Sequence, residues 1–134
     1  MDKPKTRRVE QHLYVNYLKR AEECLQGAYA ALENKKYDLS AIASVHSGIS
    51  AADAMCVYYL HCRSVGEKHT DAAELIKSIK ELKHEESKAV TEKLSRILSM
   101  KNMAEYEERN IKPKEAETLF YNAQKFLEMI KAKL

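Results

Sequence analysis

The sequence predicts an all-α fold: a five-helix, up-and-down type bundle with two long antiparallel helices and three shorter ones. Three observations predict it. Of 134 residues only three are glycine and two proline, and the abundant Ala, Leu, Glu and Lys keep most of their side-chain freedom in a helix. Apolar residues recur at steps of three and four through long windows, the repeat of one buried helical face. The interruptions are short and polar, as in bundles whose sequential helices pack antiparallel.

Taken in order, helix one spans about Arg8 to Asn34, with Leu13, Tyr17, Ala21, Leu25, Ala28 and Leu32 on one stripe. The turn Asn34-Lys35-Lys36-Tyr37-Asp38 follows, where Asp38 is placed to accept hydrogen bonds from the next helix's first amides. Helix two, about Leu39 to Arg63, repeats Ile42, Val45, Ile49, Ala52, Cys56 and Tyr59, the narrow seam of a closely packed pair. Gly27 and Gly48 come to the same level of this hairpin, which predicts a close approach of the two backbones. Ser64 to Thr70 is the next break, with Gly66 suited to a left-handed helix end. Asp71-x-x-Glu74 opens helix three, burying Leu75, Ile76, Ile79 and Leu82. Helix four, from about Ser87, presents Val90, Leu94, Ile97 and Leu98, and one more step of four arrives at Lys101. Pro113 then fits the first position of helix five, which carries Ala116, Phe120, Ala123, Leu127, Ile130 and Leu134.

A chain of this length fits one domain, 1–134, that needs no disulfide or metal staple. Lys and Arg number 23 against 20 Asp and Glu, a net charge of +3. Interspersed charge of that size describes a solvated surface and not a polycation. Only Met1 to Arg8 is locally basic, with four cations and one acid. No apolar run follows it, so residues 1–8 read as a flexible arm and not as a secretory signal. No stretch reaches the roughly 20 apolar residues that span a bilayer, and three cysteines at 24, 56 and 62 form no CxxC pair. A cytoplasmic protein with no membrane contact is expected.

Four features occur together in order: the helical hairpin turning at Leu32-Glu33-Asn34-Lys35-Lys36-Tyr37-Asp38, the small-residue run Ser50-Ala51-Ala52-Asp53-Ala54, the segment GEKHTDAAELI from Gly66 to Ile76, and Lys101-Asn102-Met103-Ala104-Glu105-Tyr106 ahead of a final Ala/Phe/Leu helix. In this the chain resembles the HEPN family, the higher eukaryote and prokaryote nucleotide-binding domain, from about Leu13 to Leu134. The resemblance implies a bundle, usually homodimeric, whose groove receives nucleotides or RNA. Many such proteins are metal-independent endoribonucleases of toxin–antitoxin or defence systems, and many pair with a separately encoded minimal nucleotidyltransferase. Catalytic members carry an Arg, often a polar residue after it, and a His four to six positions on. Here Lys101 falls at the Arg position, Asn102 at the polar one and Tyr106 at the His position. Lysine keeps the charge but loses the bidentate fork, and tyrosine, with a pKa near 10, accepts protons poorly at pH 7.

The resemblance therefore implies a stand-alone member with a degenerate ribonuclease motif. It is expected to bind a nucleotide, RNA or a partner nucleotidyltransferase through Lys101, Asn102, Tyr106, Asp53 and Arg109, without cleavage and without a cofactor. An active endoribonuclease, with Lys101, Tyr106 and His46 as catalytic candidates, is the alternative, and a purely structural interaction module is a second. Lys101 itself admits three readings: an ion pair with Asp53, a snorkelling or capping position near a helix end, or the wall of an anion-binding groove. His46 and Asp53, seven residues apart, share a helical face and stand either beside that groove or in ordinary polar contacts. His61, Cys62 and His69 have irregular spacing and predict no metal site. Tyr58, Tyr59, Tyr106 and Tyr121 suit core or interface packing better than base stacking.

Overall fold

The computed structural model describes residues 5–66 and 69–134. Helices α1 (Tyr14–Glu33), α2 (Tyr37–Leu60), α3 (His69–Lys77), α4 (His84–Ser99), α5 (Lys101–Tyr106) and α6 (Pro113–Lys131) form an all-α bundle. The five expected helices are present, with α6 as the fifth. The sixth is the six-residue α5, cut from the end of the fourth.

Helix α2 is the axis of the molecule, in contact with every other helix. Its residues are small, so neighbours approach on nearly all sides: Ala41, Ser44, Val45, Ser47, Gly48, Ala51, Ala52 and Ala54 are buried. The α1–α2 hairpin is close-packed, but not through paired glycines. Gly27 is exposed with no neighbouring atom near its missing Cβ, whereas Gly48 faces α4, where a Cβ would stand 2.9 Å from Ile97 Cγ2. Alanines and serines make the hairpin contact instead. Ser40 Oγ donates to the Ala28 carbonyl at 2.8 Å and Ser47 Oγ to that of Ala21 at 2.7 Å, so two buried hydroxyls are satisfied by the facing backbone. Phe126, Met55, Ile76, Leu94, Ile97, Leu119 and Ile130 fill the core between α2, α3, α4 and α6.

Several local expectations are corrected. Asp38 lies in the first turn of α2, but its carboxylate accepts from the Ile111 amide and the Asn110 side chain, both at 2.7 Å. It fastens the connection before α6 instead of capping α2. The left-handed residues are Lys35 at φ 60° and His61 at φ 57°, and no described glycine has positive φ. At Gly66 a Cβ would collide with the Asp71 carboxylate, so close approach is what glycine supplies there. Helix α4 begins three residues earlier than expected, because Glu86 accepts from the Lys83 amide at 3.0 Å and closes its first turn.

The expected amino-terminal arm divides. Residues 1–4 lie outside the described ones, while Thr6–Arg8 is a strand, β1, paired antiparallel with β2 (Cys62–Ser64). A 3-10 turn over Gln11–Leu13 then leads into α1, which is why that helix starts six residues later than the periodicity suggested.

Candidate functional site

The helical stripe that appeared to bring Lys101 inward ends one residue before it. Met100 is the last position of the α4 ladder, its amide bonding back to Ile97 at 3.1 Å. The chain then restarts as α5. Apolar packing passes to Met100, Met103 and Ala104, which lie against the core, so Lys101 occupies no core position. Its side chain is half-buried and makes no hydrogen bond or ion pair with any described residue.

At 3.6 residues per turn, Lys101 and Glu105 fall on one side of α5, and Asn102 with Tyr106 on another. The side carrying Glu105 meets α2. There Glu105 Oε1 lies 3.0 Å from His46 Nε2, with side chains 16% and 51% exposed respectively. That carboxylate oxygen is buried and has no hydrogen-bond partner among the described residues. The His46 imidazole thus stands within contact distance of a carboxylate oxygen whose burial carries a desolvation cost. Asn102 and Tyr106 face solvent, Tyr106 at 70% exposure. Lys101 and Tyr106, five residues apart, point about 140° from one another around the helix.

Asp53 and Arg109 are held elsewhere. The cations acting on the Asp53 carboxyl are Arg63 and Arg20, and Lys101 is not among them. The Asp53–Lys101 ion pair is therefore absent. Burial pushes the Asp53 carboxyl up to about 7, more than the two arginines pull it down. Arg109 forms a fork on Glu115, with both contacts at 2.8 Å, and also reaches Glu107 at 3.6 Å. This hydrogen bonding, joined by the Lys112 amide, holds the Glu115 carboxyl down to about 2. Arg109 thus clamps the turn into α6.

The other sequence candidates scatter. Tyr58 lies between Tyr14 and Tyr59 with edge-to-face contacts at 4.9 Å on either side, and the Tyr59 hydroxyl donates to the Lys133 carbonyl. Tyr121 is exposed under Lys125. His61 ends α2 and Cys62 packs on the core, while the side chain of His69 lies outside the described ones. Among the described residues no three His, Cys, Asp or Glu side chains gather in a metal-binding group.

Residues 14–133 match the model of the HEPN domain. The chain belongs to the HEPN family. No curated protein matches it. In this HEPN domain, the two positions where catalytic relatives were expected to hold Arg and His carry Lys101 and Tyr106. The histidine that does stand beside α5 is His46, contributed by α2. Glu105 is the site residue that sequence reasoning missed. Its signal was present, four residues after Lys101 and so on the same helical face, but it became legible only once KNMAEY formed its own helix.

Proposed function

We propose that this HEPN domain binds the phosphate of a nucleotide or RNA where α5 meets α2, without cleaving it. One observation carries the reading: Lys101 is a half-buried ammonium with no ion pair among the described residues, on the same side of α5 as Glu105, which contacts His46. A cation held in no ion pair attracts an anion more strongly than one already paired. Asn102 and Tyr106, exposed on the neighbouring side of α5, are placed to touch the sugar or base. Arg109 contributes by fixing the turn behind α5, and Asp53 lies outside this set. A homodimer is part of the same proposal.

The test is binding of labelled single-stranded RNA, and of nucleoside triphosphate, to wild type and Lys101→Ala. Expected is affinity that falls with rising salt and drops by about tenfold in the variant, as for one charged hydrogen bond. Equal affinities in both proteins would remove Lys101 from the site.

A second reading, endoribonuclease activity, is favoured by the His46–Glu105 contact alone. Glu105 could orient His46 for proton transfer while Lys101 offsets phosphoryl charge. Incubation of the same proteins and His46→Ala with RNA separates the readings. Cleavage by wild type that vanishes in His46→Ala would make the domain an enzyme.

A further inference from the structure

Lys5, Arg7 and Arg8 do not belong to a loose arm. The strand β1 places Arg7 directly opposite Arg63 of β2. The amide of Val9 donates to the His61 carbonyl at 3.0 Å and that of Val65 to the Lys5 carbonyl at 3.1 Å, so the ladder extends one residue beyond each end of the strand pair. Side chains alternate across such a ladder. Cys62, neighbour of Arg63, packs on the core, which turns Arg7 and Arg63 together to the outer face, along with Lys5.

Like charges directly opposite in a ladder destabilise it. Neither arginine has an ion pair among the described residues, which would have relieved the repulsion. A third guanidinium, that of Arg20 on α1, lies over the Tyr17 ring at 5.4 Å, and like Arg63 it is near enough to act on the Asp53 carboxyl. Lys5, Arg7 and Arg63 thus share the outer face of the ribbon, and Arg63 and Arg20 both act on the Asp53 carboxyl. Lys5 and Arg7 are one two-residue strand step apart, about 6.8 Å, a spacing comparable with that of neighbouring phosphates on an extended nucleic-acid strand.

We infer that the β1–β2 ribbon and Arg20 form a binding site for the phosphodiester backbone of single-stranded nucleic acid, separate from the α2–α5 site. A row of cations on an open ribbon suits a polyanion better than one small phosphate. Arginine adds the planar fork that grips phosphate with two parallel hydrogen bonds. The bound phosphates supply the negative charge that the Arg7–Arg63 pair lacks, so the residues that weaken the free ribbon are those that hold the ligand.

The experiment compares wild type, Arg7→Gln/Arg63→Gln, Arg7→Glu and Lys101→Ala. The probes are labelled oligouridine and a deoxy oligonucleotide of equal length, with inorganic phosphate as competitor, across a salt series. Two lost phosphate contacts at about 0.7 each should make the slope of log affinity against log salt shallower by about 1.4 for the double variant. Both polymers should lose affinity together, and inorganic phosphate should compete poorly. Thermal unfolding supplies the control: Arg7→Glu, which places a carboxylate opposite Arg63, should unfold at the same or a higher temperature while binding more weakly. An unchanged slope in the double variant overturns the proposal, as does displacement of the oligomers by low inorganic phosphate or a lower unfolding temperature for Arg7→Glu. Loss of binding in Lys101→Ala alone would also overturn it while leaving the α2–α5 reading intact.

Discussion

Asp53 shows how one buried carboxyl ties stability to pH. It sits on an alanine-rich stretch of α2, Ala51, Ala52 and Ala54, whose short side chains leave it little polar cover, and Arg63 and Arg20 do not make up for the lost hydration. Its pKa of about 7 in the folded protein lies above the ordinary value of 3.8, so between these values the native state binds more protons than the unfolded chain. Stability contributed by this group must then fall as pH rises from about 4 to about 7 and stay constant above. At 1.36 kcal/mol per unit the full effect is on the order of 4 kcal/mol. Asp53→Asn removes it. Urea unfolding at pH 4.5 and pH 8 should show wild type losing stability relative to the variant as pH rises. Parallel behaviour of the two proteins would mean that the carboxyl is better solvated than its burial indicates. An ion pair with Lys101 was one of three readings open for that lysine, and Asp53 answers to Arg63 and Arg20 instead, because Arg63 is brought near it only by the β1–β2 ribbon.

Among the elements, periodicity located the helices well and their ends poorly. Helix α6 starts at Pro113 as expected, since a proline at the first position leaves no amide unpaired and is visible in one residue. Helix α4 ends at Ser99 although the three-and-four repeat continues to Lys101, because Met103 and Ala104 pack on the core only if the chain turns first. That alternative is tertiary, and no local signal announces it. The two glycines make the same distinction measurable. Gly48→Ala puts a Cβ 2.9 Å from the side chain of the fully buried Ile97, and overpacking of this kind costs about 1–3 kcal/mol. Gly27→Ala meets no atom within 4 Å on an exposed helical surface, and there the gain in helix propensity should stabilise by about 0.5–1 kcal/mol. Thermal unfolding of the two variants should therefore shift in opposite directions. A destabilised Gly27→Ala would restore the close backbone approach at that position.

At the scale of the whole molecule, what stands out is what the bundle leaves uncovered. Neighbours enclose α2 least completely along Leu39, Ile42, His46 and Ile49, residues at steps of three and four that share one face. Leu39 is 54% exposed, and Ile42 and Ile49 are only half-buried. The sequence marked Ile42 and Ile49 as seam positions; both are only half-buried, with Ile49 packed against the core. Periodicity reports which face is apolar and not what covers it, so the hairpin contact fell instead to Ala21, Ala28, Ser40 and Ser47, residues too small or too polar to register in the pattern. A half-exposed apolar stripe on the central helix is the kind of surface that a partner covers, and a second copy applied to it would bring two His46–Glu105 pairs toward one interface. The homodimer proposed above should then depend on this stripe. Leu39→Asp adds a charge where the monomer already exposes the side chain, so the fold should survive with unchanged helical circular dichroism. Sedimentation equilibrium should find wild type dimeric and the variant shifted to monomer by about tenfold or more in dissociation constant, the loss expected when a buried apolar contact is replaced by a charge that must be desolvated. A dimer of unaltered strength in Leu39→Asp would place the interface on another face, and the α2 stripe would then be open to the ligand itself.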